Sequence, residues 1–214
     1  TYGFPLEVTE EIVNERDLAI DIDGFNTEMD QQRQRAKAAR KGGEVDSVRH
    51  EMYREVMEQC GTTEFLGYEQ DSCEAKILAI VPDDDGTFDL FLDRTPFYAE
   101  SGGQVGDTGV ITSGSNHYQV IDTTFALPGL RRHHCRVVSG SLTVNQTVTA
   151  SIDSLRRLAI RRHHTATHIL HWSLRQVLGE HVKQAGSLVD DERLRFDFSH
   201  YDAVTDDELL RIEE

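Results

Sequence analysis

Between residues 75 and 153 the chain breaks into short β-prone runs, and this stretch restricts the possible folds more than any other. The runs are Ala75–Val81, Phe88–Asp93, Tyr118–Phe125, Cys135–Val138 and Thr147–Asp153. Turn clusters separate them, most plainly Pro82-Asp83-Asp84-Asp85-Gly86. About five or six strands at such spacing predict a small antiparallel barrel.

On either side the period changes to that of a helix. Residues 1–60 read as helical: Thr9 caps a helix with Glu10 and Glu11 in its first turn, followed by Ile12 and Val13. Phe25, Met29 and the charged run from Gln31 to Arg40 continue the pattern until Gly42-Gly43 breaks it. A third helical stretch has Val45, Val48, Met52 and Val56 on one side and runs to about Cys60-Gly61. From about Leu155 the chain turns helical again. Ala166, Ile169, Leu170, Leu174, Val177 and Leu178 recur at three- and four-residue steps, and Gly179 supplies a stop. Two strands follow, Gly186–Val189 and Arg193–Phe198, joined as a hairpin at Asp190-Asp191-Glu192. Asp206 to Glu214 read as the first turns of a last helix. The fold class is therefore α+β: an N-terminal helical segment, a small antiparallel β-barrel, then the start of an α/β core. The abrupt start at Thr1-Tyr2-Gly3-Phe4-Pro5 and the helix that stops with the chain read as an excised piece.

Composition excludes several classes. A hydrophobic content of 38% and a charged content of 28% over 214 residues suit a soluble globular chain. No apolar run reaches membrane-spanning length, and residues 1–20 lack the basic-then-apolar order of a signal peptide. No membrane partner is expected, and the location expected is cytoplasmic. Cys60, Cys73 and Cys135 are odd in number and widely spaced, so the expectation is three reduced structural thiols. The net charge of −16 argues against indiscriminate nucleic-acid binding. Two compact basic clusters stand out against it, Arg131-Arg132-His133-His134 and Arg156-Arg157 with Arg161-Arg162. Each reads either as ordinary surface charge or as a restricted phosphate contact, such as one end of an RNA.

Inside the second helical region lies His163-His164-Thr165-Ala166-Thr167-His168. His164 and His168, four residues apart, project from one helix face, the usual way a helix offers two ligands to one metal. At about 100° per residue, His164, His168 and His171 cluster roughly opposite the apolar stripe, so core packing does not explain them. A solvated face would present the same pattern. Two imidazoles alone do not complete a tetrahedral zinc site, and the spacing also allows pairs with His171. A metalloprotease needs a glutamate directly after the first histidine, where Thr165 stands, so a generic zinc hydrolase is disfavoured.

The run Arg94-Thr95-Pro96-Phe97-Tyr98-Ala99-Glu100-Ser101-Gly102-Gly103-Gln104-Val105-Gly106-Asp107-Thr108-Gly109 holds four glycines within eight residues. It has neither a Walker lysine nor dinucleotide spacing. It reads as a shaped loop, either a tight barrel corner or, with Gln104 as donor and acceptor, the lining of a site.

Four blocks together resemble the alanyl-tRNA synthetase family: Thr1-Tyr2-Gly3-Phe4-Pro5-Leu6, the run from Arg94 to Gly109, His164-Thr165-Ala166-Thr167-His168, and Gly186-Ser187-Leu188-Val189 leading to Leu194-Arg195-Phe196-Asp197-Phe198-Ser199-His200. They span almost the whole chain in the family's order. The second and third occur together only in these synthetases and their free-standing editing relatives. The resemblance implies an internal fragment with three parts. Residues 1–60 are the end of the helical tRNA-recognition region. Residues 61–155 are a barrel of the editing domain, similar to translation-factor barrels, and residues 156–214 the first part of a zinc-type editing core.

The resemblance further implies that His164 and His168 are two of four zinc ligands, the other two lying beyond this chain. It selects that pair over the alternatives with His163 and His171. Thr167 and Gln184 would line the pocket that reads serine, with Gln104 facing them from the barrel. Arg161 and Arg162 become candidate contacts for the acceptor end of tRNA(Ala). The family attaches alanine to tRNA with ATP and Mg2+ and hydrolyses Ser- and Gly-tRNA(Ala). The ATP site is expected to precede Thr1, in the remainder of the synthetase chain. With half its zinc ligands, the fragment alone is expected neither to charge tRNA nor to edit efficiently, and to lack zinc. The competing reading is a metal-free module in which barrel and helices only position tRNA.

Overall fold

The structure is a computed structural model that describes Gly24, residues 43–83 and residues 86–213. The helices expected between Thr9 and Arg40 lie outside the described residues, apart from Gly24, which is helical. The chain divides into two compact units, Thr1–Arg49 and His50–Glu214. The barrel and the site described below belong to the second.

Helix α1 spans Gly43–Cys60. Its buried side chains are Tyr53 and Val56, with Met57 and Cys60 packed beside them, an i, i+3, i+4, i+7 set. That corrects the expected stripe: Val48 and Met52 are exposed, while Val56 belongs to the buried face. The aromatic Tyr53 decides the face, because its ring packs edge-on against Phe91 while its hydroxyl donates to buried Asp89.

The strands are β1 (Glu64–Phe65), β2 (Ser72–Pro82), β3 (Thr87–Leu92), β4 (Arg94–Thr95), β5 (Gly109–Ser113), β6 (Asn116–Leu127), β7 (Leu130–Ser139) and β8 (Thr147–Ile152). Six of them close a barrel in the order β2-β3-β7-β6-β5-β8, every neighbouring pair antiparallel. The five β-prone runs are all strands. The barrel strand missed is β5, where only Val110 and Ile111 are apolar, and the two-residue strands β1 and β4 lie outside the expected runs as well. β5 seals the barrel against β8 at Gly109, where a Cβ would stand 2.2 Å from the Ser151 carbonyl oxygen. Closure leaves no exposed sheet edge in this barrel, which removes the main aggregation liability of small β-structures.

β3 shows how the core is built. Phe88, Leu90 and Leu92 point into the barrel with Ile77, Ile111, Tyr118, Val120 and Ala150, while Phe91 faces outward beneath α1 with Val81 and Leu130. Asp89 shares that outward face and is fully buried. There it accepts from Tyr53 and meets His134 Nδ1 at 2.9 Å.

This packing also absorbs the first basic cluster, which lies on β7. His133 is fully buried, bonded to the Leu90 carbonyl at 3.0 Å and the Thr95 hydroxyl at 2.8 Å. Arg131 lies over the Phe65 ring at 4.4 Å. The four residues are therefore structural and do not form a surface patch. Cys60, Cys73 and Cys135 are free thiols.

Helix α2 runs Ser154–Leu178. Asp153 caps it by accepting from the amides of Leu155 and Arg156, and Gly179 follows its end. A hairpin of β9 (Lys183–Val189) and β10 (Leu194–Ser199) comes next, then helix α3 (Asp206–Glu213). α2 keeps most of the expected apolar stripe: Leu174 is buried, Ala166, Leu170, Val177 and Leu178 are half-buried, and Ile169 departs from it. Its buried line is Arg157, Ile160, Thr167 and Leu174, with His163 and His171 half-buried along it. Ile169 and Trp172 are 59% and 64% exposed. His164 and His168 are exposed, and His171 is half-buried. The helix docks on a polar surface, and polar anchors set its rotation.

Candidate functional site

Three elements meet at the site: α2, the glycine loop before β5, and the hairpin β9–β10. Arg157 locks the helix to the loop. Its guanidinium donates to both Asp107 carboxylate oxygens, to the Gly67 carbonyl at 3.0 Å and to the Pro96 carbonyl at 3.1 Å. Arg156 adds a bond to the Gly106 carbonyl at 2.8 Å and an ion pair with Asp191 at 2.9 Å. His163 Nδ1 donates to the Asp190 carbonyl at 2.7 Å, tying the same helix to the hairpin turn.

The glycine loop is a two-residue turn in which Gly102 and Gly103 both have positive φ, 61° and 85°, as a type I′ turn requires. Ser101 and Gln104 flank it as a bridged pair. Val189 of β9 donates to the Gly103 carbonyl at 2.8 Å, and Val105 donates to the Val189 carbonyl at 3.1 Å. A Cβ on Gly103 would stand 2.4 Å from the Ser187 carbonyl oxygen, so glycine is needed for both conformation and approach.

This clamp brings Gln104, 9% exposed, to α2. Its side-chain oxygen meets His164 Nδ1 at 2.8 Å. That oxygen is an acceptor, so Nδ1 carries the proton and His164 Nε2 presents its lone pair. The lone pair points toward His168 Nε2, 3.1 Å away. Two imidazoles bound to one tetrahedral zinc at about 2.05 Å would hold their nitrogens about 3.3 Å apart. A carbonyl oxygen on the far nitrogen is the usual way such a ligand is oriented. The pair and Gln104 therefore fit half of a zinc site. Among the described residues no group of three or more His, Cys, Asp and Glu side chains is placed to hold a metal.

A small pocket of about 100 Å³ lies beside the pair, lined by His164, Thr167, His168, His171, Gln184 and Ser187 among others. The site residues expected from sequence thus come together: His164, His168, Thr167 and Gln184 around this pocket, with Gln104 bonded to His164. Gln184 lies inside β9 rather than just before the hairpin, because that strand begins at Lys183. Thr167, 8% exposed, donates to the His163 carbonyl at 2.8 Å, which leaves its oxygen lone pairs free to accept.

His171, Ser187 and Phe196 were not singled out for the pocket. The His171 ring packs at a tilt against Phe196, centroids 5.0 Å apart, and its Nε2 is buried with no hydrogen-bond partner among the described residues. The repeat of histidines at 164, 168 and 171 was a usable signal for it, and Ser187 and Phe196 both lie in the fourth block of the family resemblance. Arg161 and Arg162 are exposed, and among the described residues neither is in an ion pair.

Comparison with known proteins bears on the whole chain. A family model described as tRNA synthetases class II (A) matches residues 1–156. The chain belongs to the class II (A) tRNA synthetases. Relatives within this synthetase family carry the name alanine–tRNA ligase. Those of Pelotomaculum thermopropionicum and Shouchella clausii are 45% and 46% identical over 222 residues, covering 100% of this chain and 25% of each relative. The ligase of Pseudomonas entomophila is 45% identical, covering 100% of this chain and 24% of its own length. The chain therefore spans about a quarter of the length of the curated relatives it matches.

The synthetase match corrects one expectation. It takes in residues 1–156 as one block, so residues 1–60 fall within the synthetase-family region and are not set apart as a tRNA-recognition end. The histidine pair lies beyond that block, in the part aligned with the ligases. No helix among the described residues is long and apolar enough to cross a membrane.

Proposed function

We propose that this chain is part of an alanine–tRNA ligase acting in the cytoplasm. The full-length protein attaches alanine to tRNA(Ala) with ATP and Mg2+, and this region contributes to hydrolytic removal of serine and glycine from tRNA(Ala). Residues 61–155 are the barrel half of the editing region and residues 156–214 the start of its zinc-type core. The observation that carries the reading is the convergence of His164 and His168 Nε2 beside a pocket of about 100 Å³ that Thr167 and Gln184 line.

The chemistry follows from side chains already described. A synthetic site for alanine rejects glycine and serine by only about 10–200-fold, because the differences are a methyl or a hydroxyl, so a second hydrolytic site is needed. Gln104 fixes the His164 ring, and so the direction of its lone pair. The Thr167 oxygen can accept from a serine hydroxyl, while the Gln184 amide supplies both donor and acceptor. Phe196 and Val189 exclude water from the far wall. His164 and His168 would hold zinc with two ligands from elsewhere in the full-length protein, and the metal supplies Lewis-acid polarisation at the ester. Arg161 and Arg162 remain open for the RNA backbone of the acceptor end.

In the full-length protein, His164→Ala and His168→Ala are expected to abolish deacylation of Ser-tRNA(Ala) and lower zinc content while alanine charging persists. Retention of deacylation by His164→Ala would sink the reading. That two ligands converge among the described residues favours a second reading, a metal-free module that positions tRNA. Stoichiometric zinc in the full-length protein, lost on either substitution, excludes it.

A further inference from the structure

At the barrel end away from α2 lies a cavity of about 310 Å³, at the low end of the roughly 300–1,000 Å³ typical of small-molecule sites. β8 sets its separation from the histidine pair. That strand starts at Thr147, after Ser141 and Leu142 of the cavity wall, and ends at Ile152, beside the Asp153 cap of α2. Among the described residues, none lines both this cavity and the pocket beside the histidines.

The wall is apolar and held in place. Ile80, Phe88, Val137 and Leu142 line it, and Ile80 and Leu142 pack against the barrel core. The connection from β7 to β8 is pinned to the turn between β5 and β6. The Ser139 hydroxyl donates to the Ser115 carbonyl at 3.1 Å, and the Asn116 side-chain amide donates to the Ser141 carbonyl at 3.2 Å. On the other side the Asp83 amide donates to the Thr87 carbonyl at 2.9 Å and ties the end of β2 to the start of β3. Walls fixed before a ligand arrives lose little freedom on binding.

The floor carries an unmet hydroxyl. Tyr118 is 0% exposed, with its ring edge-on to Phe88 at 6.0 Å. Its hydroxyl is buried and has no hydrogen-bond partner among the described residues. Tyr53 and Tyr98 differ in this: the first donates to Asp89 and the second to the Ser101 carbonyl. Burial pushes the Tyr118 phenol above its ordinary value, so the group keeps its proton and is a donor. A buried donor of this kind is met by a ligand or by an ordered water. The rest of the wall narrows the ligand. Two aromatic rings, Phe88 and Tyr118, favour an aromatic body. Among the described residues no lysine, arginine or histidine lines the cavity, whereas Asp83 does, so an anion finds no counter-charge.

We propose that this cavity binds a small neutral aromatic alcohol of the phenol class, its ring against Phe88 and Leu142 and its oxygen accepting from the Tyr118 hydroxyl. The site stands apart from the histidine pair, and its test does not depend on the editing reading.

The test is equilibrium dialysis of the full-length protein against naphthol, against naphthalene, which lacks the hydroxyl, and against the anion naphthoate. Wild type is expected to bind naphthol about three- to tenfold more tightly than naphthalene, the worth of one buried hydrogen bond. Tyr118→Phe keeps the ring and loses only the unmet oxygen, so it should still bind naphthalene but hold naphthol no more tightly. Val137→Trp, at a position 48% exposed, fills the mouth and should abolish binding of both. Tyr118→Phe is conservative enough to decide the matter if Val137→Trp alters the fold. Equal naphthol affinity in wild type and Tyr118→Phe assigns the hydroxyl to a buried water only and overturns the proposal. So does binding that survives Val137→Trp in a folded protein, or the absence of naphthol binding by the wild type. Naphthoate bound as tightly as naphthol overturns the neutral class of ligand.

Discussion

Replacing Arg157 by methionine should destabilise the protein more than any other single change at the helix–barrel junction. Arg157 and Asp107 are 9% and 2% exposed, so the pair is held away from water. Removing the guanidinium leaves the Asp107 carboxylate with the Tyr98 amide at 2.8 Å, and strips the Gly67 and Pro96 carbonyls of their donors. Breaking one partner of such a buried pair costs about 3–5 kcal/mol. With a urea slope of about 2 kcal/mol per molar, the unfolding midpoint should fall by roughly 1.5–2.5 M. Two companion variants sharpen the test. Arg157→Lys keeps the charge but cannot reach four acceptors in a planar fork, so it should recover only part of the loss. Arg157→Met with Asp107→Leu removes the stranded charge and should be more stable than Arg157→Met alone. Urea unfolding followed by circular dichroism measures all three. A midpoint shift below about 0.5 M for Arg157→Met, or full recovery by lysine, would falsify the claim that this cluster anchors α2.

Acid should weaken the barrel through His133, which burial pushes down from its ordinary value to about 4 while the Leu90 carbonyl opposes the shift and Arg131 adds to it. A depressed histidine makes the unfolded state bind the extra proton. Stability from this group is therefore complete above about pH 6.5 and is lost as pH falls toward 4, by about 1 kcal/mol at pH 5.5 and about 3 kcal/mol in full. Urea midpoints at pH 7.5, 5.5 and 4.5 should show that slope in the wild type and not in His133→Gln; equal slopes would refute it. At the glycine loop, Gly103→Ala must push the loop off β9, since its Cβ meets the Ser187 carbonyl at 2.4 Å and its φ is +85°. A loss of about 1–3 kcal/mol in thermal unfolding is expected, together with lower Ser-tRNA(Ala) deacylation in the full-length protein; wild-type values for both would contradict the clamp.

Local signals were strong enough to read where they act within a few residues. The β-prone run at β3, the Gly179 stop of α2, and the turn between β9 and β10 are short-range patterns, and each has its element in the structure. β5 escaped because its two apolar residues carry no period, and its identity as a strand comes from the neighbours β6 and β8. The face of α1 was misjudged for a physical reason. Periodicity finds where apolar side chains recur, but rotation about the helix axis is set by the strongest anchors. Those anchors are Tyr53 on Asp89, and Arg157 on Asp107 with His163 on the Asp190 carbonyl.

The sequence by itself determined which chemistry was available: two imidazoles one helical turn apart, a glycine turn ending in Gln104, and a threonine and glutamine of the right kind. Only the tertiary structure decided how these residues act together. Gln104 and His164 are sixty positions apart, and nothing local makes them touch. The contact exists because barrel closure fixes the glycine loop, β9 clamps that loop, and Arg157 turns α2 so that the histidines face it. A pattern in one dimension names donors and acceptors. Their distances, tautomers and shared walls come from long-range packing, which a single sequence does not spell out.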